Sequence, residues 1–282
     1  MERIGGMALD NGVLLATDSH WAAAVRDRDG AVSLAGGPKP VTWSSHRAVD
    51  AVPVLRGPLR MVDTVALMVE VRRRLPKARL PYESARVLGA FVASVLAVGA
   101  VRGLPAKKKG SAWLTEAVVA ALSVAPALVA LRGTALAGYH GAEHKTIAQY
   151  ELREKGVDPA AARKEHERCG TNAVVPLLGT NALLNGVARR AFRQPPPGVY
   201  AATGALSLGV ALEVIRWSVK HPESRVSGLL SMPGRFLQER FTTREPTEAQ
   251  MEVAQSALQR LLEEGGCEPG PQPRKAWNAE RS

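Results

Sequence analysis

A chain of 282 residues offers a sizeable core as one large domain or two ordinary ones. Apolar residues make up 46% but aromatics only 5%, a mixture rich in Ala, Val and Leu that favours helices over strands. The net charge of +11 comes without a recognition helix, finger repeat or aromatic RNA-binding motif, so it points to anionic lipid rather than nucleic acid.

Two cysteines, Cys169 and Cys267, exclude a disulfide framework and suit a reducing compartment. Residues Met1 to Asp10 show no charged stretch followed by an apolar core, hence no secretory signal. The first forty residues read as β. Short apolar runs at Gly12–Thr17 and His20–Val25 are followed by an Asp29-Gly30 turn signal before Ala31–Leu34. Gly36-Gly37-Pro38 closes this part, and a β-rich segment over 1–45 is expected. A helix from about Leu59 to Arg74 follows, ended by Pro76, and its basic end precedes the first apolar stretch.

Four apolar stretches come next: Val87–Val101, Ala112–Leu131, Ala173–Ala188 and Pro197–Ile215. The first is about 22 Å long as a helix, short for a hydrocarbon core of about 30 Å. The others carry Glu116 and Pro126, Asn181 and Asn185, and Glu213, and a mean hydropathy of −0.07 also suits buried helices of a soluble domain. If all four cross, more Lys and Arg flank the side holding 1–86, 132–172 and 216–282 than the other. That places both termini and the segment 132–172 in the cytoplasm, with Lys107-Lys108-Lys109 as a contrary signal. Pro246–Glu264 reads as an amphipathic helix with Met251, Ala254, Ala257, Leu258, Leu261 and Leu262 on one face. A helical domain over 46–264 and a disordered tail over 265–282 are expected.

The chemistry lies in Gly138-Tyr139-His140-Gly141-Ala142-Glu143-His144-Lys145. Two histidines four apart on a helix share a face, so both imidazoles can reach one ion. Glu143 completes His-x-x-Glu-His, the inverted order of a zinc-protease motif with the glutamate as base, and Glu151 stands on the same face. Gly156 is placed to end this helix, and Asp158 and Pro159 to start a second one running to Cys169. On that second helix His166 and Cys169 are three apart and share a face. Folded antiparallel about residue 157, the pair brings Cys169 opposite 145 and His166 opposite 148, so His140, His144, His166 and Cys169 are expected to share one metal.

Imidazoles with a thiolate suit zinc, and less well another first-row divalent metal. If all four bind, the site is closed and structural. If one stands off, an open position can hold an activated water, with Glu143 or Glu151 as the base. His20, His46 and His221 stand alone and read as surface or core positions, and Glu213 is a site candidate only if its helix lies in lipid.

The strings at 138–147, Tyr150-Glu151, Arg168-Cys169-Gly170-Thr171 and Thr242-Thr243-Arg244-Glu245-Pro246 resemble the YqhQ-like family. That family is an uncharacterised bacterial group of multi-pass membrane proteins described as predicted metal-dependent enzymes. The resemblance implies a membrane, a metal site at His140, Glu143, His144, Glu151, His166 and Cys169, and a second patch at Arg244 and Glu245. Two departures stand out: Glu167 where the family usually has proline, and Gly5-Gly6-Met7 with Asn11–Ala16 in place of its N-terminal pattern.

The expected protein is therefore mainly α, a multi-helix membrane-associated bundle with a small β-rich N-terminal segment and a metal-binding helical hairpin. The leading function is a zinc-dependent membrane hydrolase of the cytoplasmic membrane. The alternatives are a non-catalytic membrane scaffold with a structural zinc site, and a soluble basic protein that binds nucleic acid.

Overall fold

The structure, a computed structural model, describes residues 3–103, 111–154, 156–158, 161–192 and 195–266. Lys107-Lys108-Lys109, Pro159, Cys267 and all but the first two residues of the expected tail lie outside them.

Four antiparallel strands follow one another in a single sheet: β1 (Gly5–Leu9), β2 (Gly12–Ala16), β3 (His20–Arg26) and β4 (Val32–Pro38). β1 pairs Leu9 with Gly12 across a turn of Asp10 and Asn11. The Asn11 side chain donates to the carbonyls of Arg26 and Lys77 and accepts from the Arg79 N–H, tying this turn to the segment after the first long helix. Gly30, at φ +88°, supplies the left-handed position of the β3–β4 turn.

Alternate residues of the sheet point to opposite faces, and both faces are covered. Val13, Leu15, Ala22 and Ala24 pack with Leu136, Tyr139, Ala142, Val253, Ala254 and Ala257. Leu9, Leu14, Trp21, Ala23 and Val25 pack on the other side with Leu67, Val71, Leu75 and Leu80. The alanines of β3 leave room for a helix on each side.

The helices among the described residues are α1 (Arg47–Asp50), α2 (Arg56–Arg74), α3 (Ala85–Gly103), α4 (Ser111–Leu131), α5 (Ala135–Glu154), α6 (Val174–Ala191), α7 (Pro197–Lys220), α8 (Arg225–Leu237) and α9 (Glu248–Glu264). The protein is thus mainly α with a small N-terminal sheet. α2 covers one sheet face, and α5 and α9 cover the other. α9 starts at a capping box of Thr247 and Gln250 and buries Val253, Ala254, Ala257 and Leu261, close to the face its periodicity predicts.

α3 packs beside α4, and α6 beside α7. Among the described residues, three helices are long and apolar enough to cross a membrane: α3, α4 over Leu114–Leu131, and α7. α3 leaves Leu88, Phe91, Val92, Val95 and Leu96 exposed, a surface suited to lipid. Of the four expected spans, three meet this measure. Ala173–Ala188 does form a helix, but α6 is not among the three, because Asn181, Asn185, Arg189 and Arg190 lower its apolar character.

Several polar residues of these helices meet partners on neighbouring helices. Glu116 faces Arg189 at 3.2 Å, and Asn185 donates to Asn181 and accepts from the Thr203 hydroxyl, both at 2.8 Å. Glu213 pairs with the Arg56 guanidinium and so ties α7 to α2. That pairing accounts for its charge without a site.

Candidate metal centre

Helix α5 lies beside α9 on one face of the sheet, and two glycines explain how it fits. A Cβ on Gly138 would meet the Gln250 side chain at 2.4 Å, and one on Gly141 would meet the Arg244 carbonyl at 2.1 Å. The chain after α8 therefore lies directly on this face, and the Arg244 N–H donates to the Ala137 carbonyl at 2.9 Å. His140 and His144 follow one turn apart, with ring centroids 4.4 Å from each other. Gly156, at φ +69°, stops the helix as its position predicts, with Val157 N–H returning to the Leu152 carbonyl.

The second helix of the expected hairpin does not form. Among the described residues, 162–169 hold only turns and irregular backbone. Groups from other elements take the hydrogen bonds a helix would have used internally. The Gln238 side chain accepts from the His166 N–H at 2.8 Å, Asn172 donates to the Glu167 carbonyl at 2.7 Å, and the Lys164 carbonyl is bonded by His144. The backbone is thus satisfied by tertiary contacts, which override the local helical pattern.

This loop still carries Cys169 to the histidines. One ligand atom each from His140, His144 and Cys169 lies within 4.8 Å of the others. Cys169 Sγ is 3.4 Å from His140 Nε2. Bond lengths of about 2.0–2.1 Å to nitrogen and 2.3 Å to sulfur put neighbouring donors of a tetrahedral zinc site about 3.4–3.6 Å apart, so this edge fits.

The tautomers fit as well. His140 Nδ1 lies 2.8 Å from the Thr242 carbonyl, and His144 Nδ1 lies 2.6 Å from the Lys164 carbonyl. A carbonyl only accepts, so each Nδ1 carries the hydrogen and each Nε2 keeps its lone pair. This is the outer support that metal-bound imidazoles require. Burial holds both imidazoles neutral, pushing the acid of His140 down and that of His144 down to about 3, where the neighbouring His140 adds to the effect.

His166 is held differently. The Arg168 N–H donates to its Nδ1 at 3.2 Å, so the proton sits on Nε2, which faces Glu151 Oε2 at 3.7 Å. Its ring centroid is 5.6 Å from that of His144, beside the three-residue group and not within it. Glu151 is shared between His166 and the Arg168 guanidinium. Burial works against its charge, but the two partners hold its acid below the ordinary value.

Glu143 is buried among apolar neighbours, and burial pushes its acid up to about 8. Strand β1 crosses it at Gly6, where a Cβ would stand 2.5 Å from Glu143 Oε1. Gly6 thus gives the N-terminal glycines a role: they let the strand close over the carboxyl. Burial likewise pushes the Cys169 thiol up to about 11, although Thr171 Oγ1 at 2.7 Å works in the other direction. All of these groups except Glu151 and Thr171 line one cavity of about 450 Å³.

Thr242, Lys164, Thr171 and Gln238 were not singled out from the sequence as supports. Thr242 sits in a string that did stand out, but it acts through its carbonyl, which any residue carries. Arg244 and Glu245 contribute packing and an ion pair with Lys145.

Fold and site together define a mainly helical protein with three candidate spans and a candidate two-histidine, one-cysteine metal centre. Residues 134–264 match the family model described as a protein of unknown function (DUF1385), in keeping with the resemblance to an uncharacterised bacterial group. The match covers α5 through α9, hence every ligand, and leaves out the sheet and α3–α4. No curated protein and no solved structure matches the chain.

Proposed function

We propose that the protein is a membrane-associated, metal-dependent hydrolase whose ion is held by His140, His144 and Cys169. The supporting observation is the pair of Nδ1–carbonyl bonds, which aim two imidazole lone pairs at the thiol and leave the remaining side of the group to the cavity. Three protein donors with a fourth position free is the arrangement of catalytic zinc sites. The soft thiolate favours zinc over magnesium or calcium. A zinc ion held there by His140, His144 and Cys169 would supply the Lewis acidity that makes water ionisable near neutral pH.

Glu143 is the base in this scheme. It lines the cavity beside the ligands, and a dication nearby favours its ionised form, drawing its acid down from about 8. Glu151 is less suited, because Arg168 and His166 already occupy its oxygens. The second reading, a scaffold with a closed zinc site, is favoured by one observation: His166 lies close enough to His144 to become a fourth ligand if its ring turns.

The setting is a multi-pass protein of the cytoplasmic membrane with both termini on the cytoplasmic side. Support for same-side termini comes from the packing of α9 on β3 and α5. The chain must cross an even number of times between β4 and α5, and again between α5 and α9. α3 with α4 satisfies the first condition, and α7 needs α6 beside it to satisfy the second.

The test is metal content and turnover of purified protein. A stoichiometric transition metal is expected, lost in His144→Ala and retained in Glu143→Gln with loss of ester or amide hydrolysis. Wild-type protein that holds no transition metal would overturn the centre, and full hydrolysis by Glu143→Gln would overturn the base.

A further inference from the structure

The cavity at the ligands has two unlike ends. His140, Glu143, His144 and Cys169 form one, while Ile4, Met7, Ala8, Ala127, Ala130 and Leu131 contribute apolar wall. Three of those wall residues belong to the last turns of α4, inside the candidate span Leu114–Leu131. Ala127 is exposed at the cavity rim, four residues and so about 6 Å from the end of that span. The cavity thus opens beside a surface that lipid would cover.

A second observation points the same way. α8 exposes Val226, Leu229, Met232 and Phe236 along one side, a stripe suited to the surface of a bilayer. α8 runs directly into the turn Gln238–Thr242, whose last carbonyl orients His140 and whose backbone packs against α4. An interfacial helix and the end of a span therefore flank the residues that hold the site.

We propose that the substrate is a membrane amphiphile, with its hydrocarbon chain along the apolar wall and its polar linkage at the three ligands. A small polar substrate would leave that wall wet, whereas a lipid already in the leaflet reaches the rim by lateral movement. The substrate class rests on the metal-centre reading above, and the test separates the two.

Protein held in amphipol is loaded with cobalt(II), whose visible spectrum reports thiolate ligation and its perturbation by hydroxamates. Octanohydroxamate should perturb the spectrum at a concentration at least roughly 100-fold lower than acetohydroxamate, since each buried methylene contributes about a factor of four and burial of three to four of its six extra methylenes suffices. Ala127→Trp, placed at an exposed position that tolerates bulk, should cut the preference to within about threefold by blocking the rim, with the cobalt spectrum unchanged. Ala130→Trp should do the same from inside the wall. Equal affinities for the two hydroxamates on a cobalt-loaded protein would overturn the lipid substrate and leave the metal centre standing. A protein that takes up no cobalt would remove the metal centre and this proposal with it.

Discussion

Replacing Gly141 by alanine should weaken metal binding without touching a ligand. The new Cβ would stand 2.1 Å from the Arg244 carbonyl oxygen, where ordinary contact begins at 3.4 Å, so the chain there must retreat by about 1.3 Å. Two residues away the Thr242 carbonyl accepts the His140 Nδ1–H at 2.8 Å. A retreat of that size carries the pair beyond hydrogen-bond range, and His140 loses the contact that fixes its tautomer and orientation. Loss of such outer support typically costs about 10–100-fold in metal affinity. Overpacking should add about 1–3 kcal/mol of destabilisation. Chelator competition measures the first effect and thermal unfolding in detergent the second. Gly179→Ala on α6, where nothing lies within 4 Å of the added carbon, is the matched control. A Gly141→Ala protein that binds zinc within about threefold of wild type would show that the Thr242 contact does not support the ligand.

Three further outcomes are expected. His166→Ala should keep its metal, because the tautomer of His166 places a proton on the nitrogen facing Glu151; loss of metal would favour the closed, four-ligand scaffold. Metal affinity should rise with pH by at least about tenfold per unit between roughly pH 6 and pH 8, because the buried Cys169 thiol, pushed up to about 11, must give up its proton, and Glu143, pushed up to about 8, adds a second, while both histidines are already neutral. Isothermal titration across that range checks the sign, and a flat profile would remove the thiolate from the ligand set. After a carbonate wash the protein should stay in the membrane pellet, as its three candidate spans require; complete release would point to buried helices in a soluble bundle.

Much of this arrangement was legible because it is local. The one-turn spacing of His140 and His144 follows from helix geometry alone, and Gly156 stops that helix with a positive φ that favours glycine. The apolar face of α9 and the turn at Asp29-Gly30 were readable for the same reason. The ligand set was harder. His140, His144 and Cys169 converge, but through a loop whose shape depends on Gln238 and Asn172, residues 72 and 6 positions from His166. Nothing in the string Ala160 to Cys169 reveals those partners, so its helical spacing pointed to a hairpin that the fold does not contain. Three of the four expected spans are apolar enough by themselves, whereas α6 carries asparagines and arginines whose partners lie on neighbouring helices, which no single stretch reveals.

His166 carries the sharpest lesson about what spacing leaves open. By sequence it is equivalent to Cys169, three residues apart on an expected common face. In the folded chain Cys169 joins the two α5 histidines, while His166 stands beside them with its ring hydrogen on the other nitrogen. Both ligand histidines on α5 give their Nδ1 hydrogen to a backbone carbonyl and so present a lone pair at Nε2. His166 instead accepts a backbone N–H at Nδ1, which sends its hydrogen to Nε2 and towards a carboxylate. A histidine in that state holds Glu151 beside Arg168; to ligate, it would first have to break the Arg168 contact and move its proton. Whether the centre is open or closed therefore turns on the hydrogen-bond partner of one ring nitrogen, which sequence spacing cannot reveal.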